Sequence, residues 1–362
     1  MSAREERLGP YLLGPEIGRG GQAVVYAAVD ERLGRAVALK RLLWSGPGAE
    51  DAVRRFRREA EIAARLQHPH ICGVLDAGIE AGIPYLVMPL LRGETFAARL
   101  RRLAQNGRSE ATPSTDVAGS FAAALASELP PTERATATPT PTREVSAAEL
   151  ARRSADLATA VDRGGPPAGA ELDALLLLVE KTARAVHAAH EAGVVHRDLK
   201  PGNVMIVDEE PVVLDFGLAR ADDGGPGVTA TGDQFGTPAY MAPELIARGA
   251  AHADRRADVY ALGVTLFEAV TLTRPFDGPT REALFRAVLK EPAPDPRRRN
   301  PAVSGDLAVV VAAALEKDPS RRYATALALA DDLRAVLERR PVAAKPVGPL
   351  GRAARFARRE PA

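Results

Sequence analysis

Apolar and polar positions alternate with a period of two over Tyr11 to Ile17, Val24 to Val29 and Ala36 to Lys40, with a glycine-rich break after Ile17 and a turn at Glu31 to Arg35. That period is the mark of half-buried strands, and the spacing predicts an antiparallel meander. From Glu50 to Leu66 the period changes: Val53, Phe56, Ala60, Ala63 and Ala64 recur at three and four, with arginines on the other face, which predicts an amphipathic helix. Ile83 to Leu90 is a short apolar run of strand length, and Pro89 predicts that pairing ends near it. A strong helical pattern covers Leu172 to Gly193, closing on a glycine suited to the left-handed position past a helix end. Pro211 to Leu214 reads as a strand, and helices alternate with Pro and Gly loops to about Arg340.

Between these two parts the pattern fails. Residues 105–170 are rich in Ala, Thr, Ser, Pro and Gly, most clearly in the run 135–142, and hold too little bulk to build a core, so a disordered insertion is expected. An alanine-rich stretch from Ala147 to Val161 is the one helical candidate inside it. The tail from Pro341 is Arg- and Pro-rich, a solvated end or a contact for acidic lipid or a partner.

Composition narrows the class. At 362 residues the chain is long enough for roughly two domains, and 46% hydrophobic with 26% charged residues is ordinary for a folded protein. A net charge of +1 argues against a nucleic-acid partner. The single cysteine, Cys72, can form neither an internal disulfide nor a multi-cysteine metal site. The charged start at Arg4 to Arg7 has no secretory character, and the apolar run Ala174 to Val179 is far too short to span a membrane, so a cytoplasmic protein without a membrane span is expected. Only six of the 48 basic residues are lysines (Lys40, Lys181, Lys200, Lys290, Lys317 and Lys345), so a lysine that persists invites a role specific to an ammonium group.

Four blocks carry candidate chemistry. Ile17-Gly18-Arg19-Gly20-Gly21 is a glycine-rich turn between strands, where backbone N–H groups can approach phosphate oxygens without a Cβ in the way. A strand follows it, which disfavours a dinucleotide fold. Alone, such a turn is more often a plain hairpin. Lys40 ends a strand between apolar neighbours and would ordinarily reach to solvent, but Glu59 on the following helix could keep it charged if it is buried. His196-Arg197-Asp198-Leu199-Lys200-Pro201-Gly202-Asn203 gathers a carboxylate, an ammonium and an amide on one tight loop, and Asp215-Phe216-Gly217 follows a strand.

In this order, and with Gly236-Thr237-Pro238-Ala239-Tyr240-Met241-Ala242-Pro243-Glu244, the blocks resemble the eukaryotic-type (Hanks-type) protein kinases, with wording closest to bacterial serine/threonine kinases. The resemblance covers about residues 11–340 apart from the insertion. It implies an α+β, two-lobed protein kinase fold, with a small antiparallel N-lobe sheet plus helix C and a mainly helical C-lobe. The implied layout is an N-terminal extension (1–10), the N-lobe (11–88), the hinge and first C-lobe helix (89–104), the insertion (105–170), the C-lobe (171–340) and the tail (341–362).

The resemblance also implies an activity, the transfer of the γ-phosphoryl group of ATP to Ser/Thr hydroxyls of protein substrates, with Mg²⁺ or Mn²⁺ as cofactor. Ile17, Gly18, Arg19, Gly20 and Gly21 would cover the phosphates, and Lys40, fixed by Glu59, would hold them. Val25 and Ala38 would flank the adenine beneath a hinge at Pro89, Leu90 and Leu91, with Met88 behind it. Asp198 would accept from the substrate hydroxyl, Lys200 would steady the γ-phosphate, and Asn203 and Asp215 would hold the metal ions. Lys200 and Thr237 together favour Ser/Thr acceptors. Asp258 resembles an aspartate that braces the catalytic loop, and Glu244 is expected to pair with Arg322.

One departure stands out. Ala23 replaces the third loop glycine, which restricts the loop without removing any catalytic group. With Arg197 before Asp198, the resemblance implies activation by phosphorylation, with Thr229 and Thr231 as acceptors and self-association for trans-autophosphorylation. Two other classes compete: a catalytically silent scaffold, and a small-molecule phosphotransferase of the same fold. The intact Lys40, Asp198, Asn203 and Asp215 argue against the first, and the block 236–244 argues against the second.

Overall fold

A computed structural model describes residues 6–20, 23–43, 56, 60–61, 63–106, 165–216, 238–249 and 254–345. The first part is a six-stranded sheet: β1 (Arg7–Leu8), β2 (Tyr11–Arg19), β3 (Ala23–Asp30), β4 (Arg35–Leu42), β5 (Asp76–Glu80) and β6 (Ile83–Pro89). The order is β1-β2-β3-β4-β6-β5, every pair antiparallel, as the period-two pattern predicts. β1 adds an edge strand within the first ten residues, and β6 stops pairing at Pro89, opposite Val37.

Because side chains alternate along a strand, the sheet has two distinct faces. One buries Tyr11, Ala28, Val37, Leu39, Tyr85 and Val87. The other packs Ala23, Leu42 and Leu86 against Phe56, Ala60 and Ala63 of the helical segment. Residues directly opposite in an antiparallel pair share a face. The pairings Val25 with Lys40, Ala38 with Met88 and Lys40 with Leu86 therefore put Lys40 on the helix-facing side.

The second part begins with β7 (Glu94–Thr95) and α1 (Phe96–Asn106), then continues with α2 (Gly169–Glu191), β8 (Val204–Val207) and β9 (Glu210–Val213). β7, β8 and β9 form a small antiparallel sheet, and Asp208 and Glu209 turn the β8–β9 hairpin at φ 49° and 62°. Five helices complete it: α3 (Pro243–Arg248), α4 (Arg255–Thr271), α5 (Arg281–Lys290), α6 (Gly305–Ala314) and α7 (Ala326–Leu337). α4 is buried on nearly all sides, as expected of a core helix, and α2, α6 and α7 pack around it. At Gly263 an added Cβ would lie 2.8 Å from the Ala314 Cβ, so glycine lets α4 and α6 approach closely.

Helix ends depart from the sequence boundaries in instructive ways. α1 runs to Asn106 and α2 starts at Gly169, so helix reaches two residues into each side of the stretch 105–170. α2 ends at Glu191, and Gly193 at φ +81° donates its N–H to His190 O at 3.0 Å, the left-handed exit that its position predicts. Residues 107–164 of the insertion, with the Ala147 to Val161 candidate helix, and the tail beyond Lys345 lie outside the described residues.

Candidate active site

After Gly193 the chain enters a loop that α4 controls. Asp258, on the first turn of α4 and 1% exposed, accepts the His196 N–H at 2.7 Å through Oδ2 and the Arg197 N–H at 2.9 Å through Oδ1. Burial pushes the Asp258 carboxyl up, but the hydrogen bond from His190 and the nearby His196 outweigh it and leave the group below the ordinary carboxylate range. These bonds hold Arg197 at φ +65°, a left-handed conformation that costs an L-residue about 1–2 kcal/mol.

The strained turn presents Asp198. Its carboxylate takes Lys200 Nζ at 3.0 Å and lies 3.3 Å from Asn203 Nδ2, which also donates to the Asp198 carbonyl at 2.7 Å. His196 is fully buried and ties the loop to the chain just past β9. Its Nε2 faces the Leu214 carbonyl at 2.8 Å and its Nδ1 accepts the Asp198 N–H at 3.3 Å, an arrangement satisfied by the tautomer with the proton on Nε2.

The other half comes from the end of β9. Leu214 N–H donates to the Asn203 carbonyl at 2.8 Å, which sets Asp215 beside the loop, and Asp215 takes φ +57°. Its Oδ1 meets Lys40 Nζ at 2.7 Å, across from β4. The Lys40 side chain is 9% exposed, so the buried ammonium is compensated by a carboxylate as its burial requires. Phe216 is buried with its ring 4.9 Å from that of His196. Behind them Cys72 N–H donates to Val213 O at 2.9 Å, and burial, aided by the Asp215 charge, pushes its thiol up to about 12.

Above this centre, Val25, Ala38 and Met88 share the sheet face with Lys40, and Pro89, Leu90 and Leu91 leave the sheet half-buried toward the second part. Gly18 pairs with Val25, and Gly20 N–H donates to Ala23 O at 2.8 Å, closing the hairpin. Ile17 is half-buried at that end. Arg19 is exposed and its guanidinium is held by Glu16. Gly21, Glu59, Thr237, Thr229 and Thr231 lie outside the described residues, and among those described the partner of Lys40 is Asp215.

The start of α3 is locked from below. Arg322, its side chain fully buried, forms two 2.6 Å bonds with Glu244 at the start of α3 and reaches the carbonyls of Glu316, Arg256 and Lys317. The pairing that the resemblance implied is present. His190 belongs to none of the sequence blocks; its signal is a polar residue beside buried Ala189 at the end of a mostly apolar helix stripe.

What the fold and site together define is a phosphotransferase of the protein kinase architecture, with an antiparallel sheet over a mainly helical lobe and carboxylates, lysines and an amide gathered where they meet. The protein kinase domain family matches residues 156–333, and the phosphotransferase enzyme family matches residues 15–223. The serine/threonine-protein kinase PknA of Mycobacterium tuberculosis is 34% identical over 96% of this chain and 66% of its own length. The DNA damage-responsive serine/threonine-protein kinase RqkA of Deinococcus radiodurans is 35% identical over 89% of this chain and 39% of its own length. The crystal structure of the Mycobacterium tuberculosis PknI kinase domain aligns with a TM-score of 0.58 at 22% identity, covering 92% of this chain and 98% of that one. Rad53, crystallised with AMP-PNP, aligns at 0.59 and 20%, over 91% of this chain and 65% of its own. The chain belongs to the Hanks-type serine/threonine protein kinases of bacteria. It spans between about two fifths and two thirds of the length of these curated relatives.

Proposed function

We propose that this protein is an ATP-dependent serine/threonine protein kinase. The observation that carries the reading is the joining of two sets of groups: Asp198 with Lys200 and Asn203 on one loop, and Asp215 with Lys40 between the lobes. The donor set suits a hard cation, since an amide oxygen at Asn203 and a carboxylate at Asp215 on adjoining backbone leave the rest of an octahedral shell to phosphates and water. When bound, Mg²⁺ neutralises charge on the transferring phosphates.

The chain's own residues supply the remainder. Asp198 accepts from the substrate hydroxyl and aligns it, and Lys200, already on that carboxylate, offsets charge at the γ-phosphate. Lys40 holds the α- and β-phosphates with Glu59 as its partner, under a loop built by Ile17, Gly18, Arg19, Gly20 and Gly21. Val25, Ala38 and Met88 line the adenine slot, and Pro89 and Leu91 supply its hinge contacts. The hinge donor is the Leu91 N–H, as the family resemblance implies, so the missing N–H of Pro89 costs no contact while its carbonyl still accepts. Thr237 with Lys200 selects Ser/Thr acceptors. The lobes divide at residue 89, and the insertion serves either as an inert spacer or, through its Thr-Pro run, as an autophosphorylation or docking tract; deleting residues 106–168 separates these, since an inert spacer leaves kinase activity and partner binding unchanged. We place this kinase in the cytoplasm, where ATP and a reduced Cys72 are both provided for.

A small-molecule acceptor fits less well. The buried Glu244–Arg322 pair fixes the end of block 236–244 beside Asp198, a device with no use for a small acceptor. Regulation follows from Arg197: phosphate on Thr229 and Thr231, added in trans by a second copy, would pair with that guanidinium. Radiolabelled ATP with a protein substrate and with a panel of small hydroxyl compounds tests the assignment. Protein labelling should be lost in Asp198→Asn; equal labelling by wild type and variant, or transfer to small compounds alone, would refute it. Phosphopeptide mapping should find Thr229 and Thr231 modified in the active enzyme.

A further inference from the structure

Of the six lysines, the mechanism above uses Lys40 and Lys200. Lys317, shortly past α6, is half-buried and has a different setting. Its Nζ donates to the Val288 carbonyl in the last turn of α5. The final carbonyls of a helix have no intrahelical donor, and the negative end of the helix dipole favours a cation there. The same ammonium lies 3.7 Å from the ring centroid of Phe276, which is 3% exposed in the connection between α4 and α5. It also lies 5.9 Å from the ring of Tyr260 on α4. A compact ammonium can meet a ring face and a carbonyl at once, which the planar fork of an arginine does less readily.

We propose that Lys317 is a positioning residue for the protein acceptor, tying α5 to the Arg322–Glu244 pair so that residues 238–248 keep their place beside Asp198. Its main chain already belongs to the setting of that pair, since the Lys317 carbonyl accepts from Arg322 Nη2 at 3.1 Å. Tyr260 is a platform common to both cations, with the Arg322 guanidinium carbon 5.0 Å from its ring. α5 in turn packs on Pro238–Tyr240 and on α3. Gly278 lets the connection that carries Phe276 close onto α5, because an added Cβ would lie 2.6 Å from the Leu284 nitrogen. Asp198, Tyr240, Met241 and Ala242 line one small cavity, so a shift of residues 238–248 changes where an acceptor chain lies against Asp198. Without the ammonium, the end of α5 and the Arg322 loop lose their shared anchor, and α5 can move relative to α3.

The inference rests on the kinase reading, and one of its two tests needs no activity. Lys317→Met keeps the apolar stem and removes the charge and the donor, while Lys317→Arg keeps a cation. In steady-state assays with ATP and a protein substrate, K317M is expected to raise the KM for the protein substrate roughly twofold to thirtyfold, the range of a coupling carried through packed side chains. The kcat and the KM for ATP should stay within about twofold, since the loss falls on acceptor binding. K317R should recover at least part of that loss. Hydrogen exchange in K317M should quicken at the Glu291 amide that closes α5 and also at the Ile246 and Gly249 amides of α3. Quickening confined to Glu291 would make Lys317 a helix cap alone and overturns the proposal. An unchanged KM for the protein substrate, an equal rise in both KM values, or equal impairment of K317M and K317R overturns it as well. If K317M does not fold, Lys317→Gln, neutral and shorter, replaces it under the same criteria. A wild type inactive on every protein substrate counts against the kinase reading, and the exchange measurement still decides whether Lys317 couples α5 to α3.

Discussion

Arg322→Met breaks the ion pair beneath the segment that ends in Glu244, and its cost can be worked from burial. The two side chains are 0% and 12% exposed, and the guanidinium also serves three backbone carbonyls. A solvent-exposed pair contributes about 0–1 kcal/mol, whereas removing one partner of a buried pair costs about 3–5 kcal/mol because the other charge stays desolvated. At roughly 2–4 °C per kcal/mol for a unit of this size, R322M should lower Tm by about 6–20 °C. Thermal unfolding followed by circular dichroism measures this directly. The double variant Glu244→Leu with R322M should recover part of the loss, since it leaves no uncompensated carboxylate, although the three carbonyls still lack a donor. A fall of less than about 4 °C in R322M, or a double variant less stable than R322M, would refute the reasoning.

Three further outcomes follow from the same structure. Asp258 binds its proton more weakly folded than unfolded, so it stabilises the fold above its unfolded value of about 4, and that contribution is lost as pH falls through the lower folded value. Urea unfolding of Asp258→Asn should therefore depend less on pH below about 4 than wild type does, and identical slopes would count against it. Gly263→Ala should lower the urea midpoint through its contact with Ala314, and Ala314→Gly in the same chain should restore part of it. Cys72, its thiol pushed up to about 12, should react with a thiol reagent at pH 8 far more slowly in the native protein than in urea, and equal rates would contradict its burial.

Much of this fold could be read from local pattern. The strands over Tyr11–Arg19, Ala23–Asp30 and Arg35–Leu42 follow from alternation, and Gly193 announces its left-handed exit because few other residues tolerate that conformation. His196 to Asn203 and Asp215 could be picked out because loop chemistry is concentrated in short stretches of sequence. The boundaries around 105–170 were less legible, since alanine-rich and polar residues carry little periodic signal at a helix end.

The order of blocks along the chain thus determined the family, the two lobes and the residues to watch, including two of its six lysines, Lys40 and Lys200. Tertiary structure alone decided which groups meet. Lys40 finds Asp215 across 175 positions because β4 and the end of β9 come from opposite lobes, a pairing no local spacing encodes. Asp258 reaches back about sixty positions to the loop, and His190 to Asp258 from another helix, because packing α4 in the core brings its first turn beneath residues 196–198. Contact order of that kind is set by how helices and sheet bury their apolar faces against each other, and the polar side chains at those junctions acquire partners only once the core has formed.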